Sequence, residues 1–333
     1  MACDVDVAPA ETPPPPRYSQ TGPGPRTWHW NDWPAEVLLE RKRRAGTRIS
    51  VVIPARDEER TVGGVVSALR EALVQRVPLI DEVVVIDSDS ADRTATVAAD
   101  AGATVYRARD IAPEYGGHPG KGEALWKSLF VTEGELLVFV DADLTHWGPH
   151  FVTGLVGPLL TDPDVRLVKG FYARIAKERD GSVSTEGGRV SELVARPLLS
   201  LWWPELSGVV QPLAGEWAVR RDLMESLSIP TGYGVELATL LDTAAAYGLD
   251  AIAQVDLDSR AHKHQSDHDL ALMAAELLVV ASRRRPLAGG APPASPCLCQ
   301  FVREGAQVRP VIRPVPAAER PPVSRAGQDG DQG

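Results

Sequence analysis

The chain has 333 residues, enough for one large α/β domain with a real core or for two small ones. Hydrophobic content of 44% and charged content of 24% are those of a soluble globular protein, and a net charge of -10 argues against nucleic acid or an anionic membrane surface as the main partner. No apolar run approaches the ~20 residues of a membrane span, and the acidic, proline-rich start "MACDVDVAPAETPPPP" is no signal peptide, so a cytoplasmic protein is expected.

In chain order, residues 1–45 read as a tail with one short helix, "PAEVLLERKRR", whose run Arg41-Lys42-Arg43-Arg44 suits a solvated helix C-terminus. "RISVVIPA" is a buried strand. "EERTVGGVVSALREALV" is a helix, "DEVVVIDSDS" a strand with a polar end, and "ADRTATVAADAG" a helix with Asp92 near its start and Gly102 at its end. "ATVYRA" is the third strand, "GKGEALWKSLFVT" a helix and "ELLVFV" the fourth strand. Strands this apolar, alternating with helices, predict a mostly parallel sheet with helices on both faces. The domain is expected over 46–285, in two halves at about 46–145 and 146–285. Residues 286–333 are rich in Pro and Gly and are expected to be a disordered tail. Cys3, Cys297 and Cys299 lie near the ends, where neither a core disulfide nor a nucleophile is expected.

Ligands of such sheets bind at the carboxyl ends of the strands. Here those ends carry Pro54 to Glu59, Asp87 to Ser90 and Asp141-Ala142-Asp143. Two carboxylates one residue apart repel unless a cation sits with them or water solvates them. A divalent metal bridging to a nucleotide diphosphate answers this, because such ions take oxygen ligands; a turn in which Asp143 caps the next helix is the alternative. The first βα turn, "PARDEE", has no G-x-G-x-x-G, and "GGHPGKG" lacks P-loop spacing, which excludes a dinucleotide site and an NTPase. Lys121 sits just inside a helix N-terminus between two glycines, which favour close approach of an anionic ligand. Gly188, Arg189 and Ser191 precede or open a helix and make a phosphate clamp or an ordinary glycine turn. Glu236 in "GYGVE" offers one carboxylate to sugar hydroxyls. His262 and His264 would point the same way on an extended segment, as metal ligand and neighbour or simply as a polar loop.

Together, "VVIPARDEE", "VIDSDSADRT", "PGKGEALWKSL", "VFVDADL", "GGRVSELVARPLL", "QPLAGEWA", "GYGVE" and "GLDAIAQV…RAHKH" resemble, in order, the glucosyl-3-phosphoglycerate synthases, actinobacterial retaining glycosyltransferases of GT-A fold. The resemblance covers residues 47 to 285, and it implies a nucleotide-binding half at about 46–145 and an acceptor-binding portion at about 146–285. It implies glucosyl transfer from UDP-glucose to the 2-hydroxyl of D-3-phosphoglycerate, a Mg2+ (or Mn2+) ion and a homodimer. Residue by residue, it implies that Pro54, Arg56 (through its backbone) and Glu58 hold uridine and ribose, with Ser88 and Lys121 as further donor contacts. It puts Asp141 and Ala142 towards the donor, Asp143 and His262 on the metal, and Glu236 on the donor sugar. It puts Gly188, Arg189, Ser191 and His264 at the acceptor, and it implies catalytic roles for Asp143, Glu236 and Arg189. The sequence departs from the family's pattern at Glu186, beside the clamp, at His264 for asparagine, at Asp89 for glycine and, mildly, at Ser191 for threonine. The alternatives are a glycosyltransferase using GDP-mannose or another small acid, a nucleotidyltransferase, and a non-catalytic sugar-nucleotide binding protein.

Overall fold

The computed structural model describes residues 24–177, 183–184, 188–261, 267–285, 295–304 and 307–326. In chain order the strands are β1 (Arg26–His29), β2 (Ile49–Ala55), β3 (Glu82–Asp87), β4 (Thr104–Arg107), β5 (Leu136–Phe139), β6 (Leu167–Lys177), β7 (Val183–Ser184), β8 (Trp217–Arg220), β9 (Ile229–Pro230), β10 (Ile252–Ala261), β11 (Cys297–Glu304), β12 (Gln307–Pro314) and β13 (Glu319–Arg320). The main sheet runs β1-β10-β6-β8-β5-β2-β3-β4, with β7 added on β6. Pairings along it are parallel except for β8, which is antiparallel to both β5 and β6.

Alternation explains why the middles of the central strands are apolar at consecutive positions. Val51, Ile53, Val83, Val85 and Val138 enter the core on one face. Val52, Val84, Ile86, Leu137 and Phe139 enter the core on the other. Period-two side chains thus feed two cores, each closed by helices. The helices include Val62–Leu69, Thr94–Asp100, Lys121–Ser128, His150–Thr161, Val235–Tyr247 and Asp267–Arg284. Among the described residues no helix is long and apolar enough to cross a membrane.

Two expectations are corrected at the ends of the chain. Residues 24–45 are part of the domain: β1 is the sheet's edge strand, and Trp28 and Trp33 are core residues. Within the basic run, Lys42 is buried and pairs with Asp81 at 2.7 Å. Within 286–333, β11 and β12 form an antiparallel hairpin and β13 pairs with β9, so the proline-rich composition hides ordered strands.

Candidate active site

The β2–β3 strand ends are laced together by their loops. Asp57 N–H donates to Ser90 Oγ and Ala91 N–H to Asp57 Oδ1, while Glu58 N–H reaches Thr94 Oγ1 and Ser88 N–H reaches Ala55 O. Pro54, Arg56, Glu58 and Ser88 therefore share one rim. Asp89 stands at φ 57°, in the left-handed region. That explains the departure from glycine: aspartate is among the few other residues that tolerate this backbone.

Beside this rim the chain assembles a compact charge cluster. Lys121 Nζ lies 2.6 Å from Asp141 Oδ1 and 2.9 Å from Glu236 Oε1. Arg260, on β10, places one nitrogen 3.0 Å from both Asp141 Oδ2 and Asp143 Oδ1. Its other nitrogen reaches Glu216 at 2.9 Å and donates to the Tyr172 hydroxyl at 2.8 Å. Thus Lys121, Asp141, Asp143 and Glu236, expected from three separate stretches, meet in one place. Arg260 and Glu216 were not among the expected residues. A bulge between Asp256 and Ser259 breaks the alternation of β10, so Asp258 stays at the exposed edge while Arg260 turns inward.

The electrostatics follow from burial. Burial opposes the charge on Asp141, but Lys121 and Arg260 outweigh it and hold the carboxyl well below the usual range. Burial likewise opposes the Lys121 ammonium, and Asp141 and Glu236 overcome it. Glu216 is 0% exposed, and burial pushes its carboxyl up against the pull of Arg260. Lys169 donates to Ala214 O at 2.9 Å beside the Trp217 ring, and burial pulls it down to about 8. The Asp143 side chain is 26% exposed. Hard carboxylate oxygen in that position fits Mg2+ or Mn2+.

The glycines flanking Lys121 have a different use from the one expected. A Cβ on Gly120 would come 2.3 Å from Thr231 O, and one on Gly122 would come 1.8 Å from Pro230 O. They admit the 230–232 backbone rather than a ligand, and the 3.2 Å bond from Gly122 N–H to Gly232 O seals that contact. Tyr233 N–H donates at 2.7 Å to Glu276 Oε2, whose carboxyl burial pushes up to about 7. Between pH 4.5 and 7 the folded protein therefore holds a proton on Glu276 that the unfolded chain has lost. This carboxyl makes stability fall as pH rises through that window. Glu276→Gln, which keeps the acceptor, should raise Tm at pH 8 and leave it nearly unchanged at pH 4.5. Melts at the two pH values check this, and an equal shift at both would contradict it.

Gly188, with φ 78°, and Arg189 open the helical segment whose buried Ser191 starts a π-helical turn. No described hydrogen bond or ion pair joins these three to the carboxylate cluster. His262, His264 and Glu186 lie outside the described residues. Another set of possible ligands, His29, Asp256 and Asp258, clusters within 4.8 Å at the sheet edge. His29 Nδ1 accepts from Asn31 N–H at 3.3 Å, so the neutral ring carries its proton on Nε2, toward Asp258 at 3.2 Å. Trp30 Nε1 donates to the other Asp258 oxygen at 2.6 Å. That set pins β1 to β10 and offers no imidazole lone pair.

A Rossmann-like sheet whose strand ends carry paired carboxylates, a lysine and no glycine-rich loop is the layout of a nucleotide-sugar glycosyltransferase. Residues 50–212 match the family described as Glycosyl transferase family 2. The chain belongs to the glucosyl-3-phosphoglycerate synthases. It is 44% identical over 304 residues to the glucosyl-3-phosphoglycerate synthase of Mycolicibacterium paratuberculosis, covering 90% of each chain. The Mycobacterium tuberculosis glucosyl-3-phosphoglycerate synthase in complex with Mn2+, UDP and phosphoglyceric acid superposes with a TM-score of 0.81. It is 41% identical, and the match covers 91% of this chain and 99% of that one. The same enzyme with Mn2+ and UDP-glucose gives a TM-score of 0.79 at 41% identity, covering 90% and 97%.

Proposed function

We propose that this chain transfers glucose from UDP-glucose to the 2-hydroxyl of D-3-phosphoglycerate, releasing UDP, with retention at the anomeric carbon. The observation that carries this reading is the cluster in which Lys121 joins Asp141 to Glu236 while Arg260 joins Asp141 to Asp143. Relatives that bind Mn2+, UDP-glucose and phosphoglyceric acid support the choice of substrates.

In this reading Pro54, the Arg56 backbone, Glu58 and Ser88 hold the nucleoside, and Asp141 and Ala142 face the donor. Asp143 and His262 would hold Mg2+ or Mn2+, which when bound neutralises the diphosphate as a Lewis acid. Lys121 adds a full charge toward the departing UDP. Glu236, tied to Lys121, takes sugar hydroxyls. That tie makes it a poor nucleophile and favours front-face attack, in which the leaving phosphate oxygen accepts the proton of the acceptor hydroxyl. Gly188, Arg189, Ser191 and His264 grip the acceptor's phosphate and carboxylate, and orientation there supplies much of the rate.

We also propose a cytoplasmic homodimer. Leu193 and Leu201, 74% and 69% exposed on one helical segment, are apolar surface such a partner would cover, and sedimentation would test it.

UDP release with Mg2+ and UDP-glucose should depend on added D-3-phosphoglycerate. Release that ignores the acceptor would refute the reading. Arg189→Ala should raise the acceptor KM by about a hundredfold or more, as expected for losing a bidentate charged contact, and leave UDP binding intact. A loss confined to UDP-glucose affinity would reassign Arg189.

A further inference from the structure

Residues 295–326 lie beyond the family-2 match, yet their end is built into the wall of the donor site. Arg320 forms two bonds to Glu123, at 2.8 and 2.6 Å. It also donates to Tyr115 O at 2.6 Å and Gly116 O at 3.3 Å, and its guanidinium lies 4.7 Å over the Trp126 ring. The Trp126 indole N–H donates to Pro321 O at 2.9 Å. Side chains of Arg320 and Glu123 are only 8% and 3% exposed. On the other flank β13 pairs with β9, and Thr231 N–H donates to Ala318 O at 3.1 Å.

These contacts close a ring around Lys121. Gly120 and Gly122 carry no side chain to anchor the first turn of its helix. The turn is held instead by backbone bonds, Gly122 N–H to Gly232 O and Glu123 N–H to Thr231 O at 2.9 Å, and by the Glu123 carboxylate. The 230–232 loop that receives those bonds leads directly into Glu236. Arg320 and its strand therefore hold both halves of the Lys121–Glu236 pair, one through Glu123 and the other through β9.

We propose that Arg320 is a positioning residue for the donor site, setting the Lys121 ammonium where the donor diphosphate meets it. The proposal rests on the reading above, in which Lys121 faces that diphosphate. Without Arg320, Glu123 stays buried with Lys127 Nζ 3.8 Å away as the nearest described cation. That poorly paired carboxylate costs stability, and, charge apart, the turn that carries Lys121 loses the guanidinium fork that ties it to β13 and shifts out of place.

The test compares wild type, Arg320→Met and the double variant Glu123→Gln/Arg320→Met. Their Kd for UDP with Mn2+ is measured by calorimetry, together with both KM values and Tm. Arg320→Met should weaken UDP binding and raise the UDP-glucose KM about tenfold, with the phosphoglycerate KM within about twofold of wild type. The double variant removes the buried charge, so it should recover much of the lost Tm without recovering UDP affinity. A double variant that binds UDP as wild type does would overturn the proposal. So would a kcat loss with both KM values unchanged, which is what a smaller folded fraction produces. Should Arg320→Met fail to fold, Arg320→Lys keeps the charge without the fork and should still weaken UDP binding about threefold. Wild-type affinity in that variant would overturn the proposal. Wild-type protein that does not bind UDP at all would sink the reading of Lys121 and this proposal with it.

Discussion

Arg260→Met should yield a protein that melts about 10 °C lower and turns over at about a hundredth of the wild-type rate or less. One guanidinium here serves Asp141, Asp143 and Glu216. Removing it leaves Glu216 fully buried without its cation, a loss of about 3–5 kcal/mol when one partner of a buried pair is deleted. It also leaves Asp141 and Asp143 to repel each other, so both shift away from the positions that, in the proposed reading, face the donor. The two effects separate in Arg260→Met/Glu216→Gln. That variant should regain most of the lost Tm, because the buried charge is gone, while turnover stays low because the Asp pair is still unclamped. Thermal melts beside UDP-release rates decide it. Recovery of both stability and turnover in the double variant would reduce Arg260 to a counter-ion for Glu216.

Why was Arg260 not legible in the sequence, when four of its neighbours were? Lys121, Asp141, Asp143 and Glu236 each sit at a local signal: a helix start after glycine, an apolar strand that ends abruptly, a glycine-flanked aromatic. Arg260 sits in "DLDSRAH", which reads as a polar surface stretch. Its inward course depends on the register of β10 against β6 and on the bulge at Asp256–Ser259, which are properties of pairing between distant segments. Glu216 hides for the same reason, since β8 enters the sheet antiparallel between β5 and β6. The sheet itself was readable because strands buried on both faces must be apolar along their interiors, as residues 51–53 of β2, 83–86 of β3 and 136–139 of β5 are. The C-terminal strands were not. Proline and glycine report low helix propensity, but they do not report that β9 is waiting for β13. Gly120 and Gly122 show a third limit: the need for close approach was legible, but what approaches was not, and it is Thr231 and Pro230 rather than a ligand.

Asp143→Ala should lower turnover about a thousandfold or more at saturating UDP-glucose and Mg2+, while the fold survives with a Tm within about 3 °C of wild type. The second expectation is what makes the first informative. Asp141 is the carboxylate that Lys121 and Arg260 hold from two sides, and Gly215 packs so closely that a Cβ there would lie 2.3 Å from Asp141 Oδ2. Changing Asp141 would therefore disturb packing as well as charge. Asp143 shares Arg260 with Asp141 and Glu216, and its removal leaves Lys121, Asp141, Glu216 and Arg260 joined to one another. A carboxylate that this cluster can lose without collapsing suits the metal-holding role proposed for Asp143. Calorimetry with Mn2+ and UDP should show that the variant binds UDP with little dependence on the metal, whereas wild-type binding should tighten strongly when Mn2+ is added. Persisting metal-dependent turnover in Asp143→Ala would move the metal off this carboxylate. A Tm loss as large as that of Arg260→Met would instead make Asp143 a structural member of the cluster, with the ligand-facing role left to Asp141.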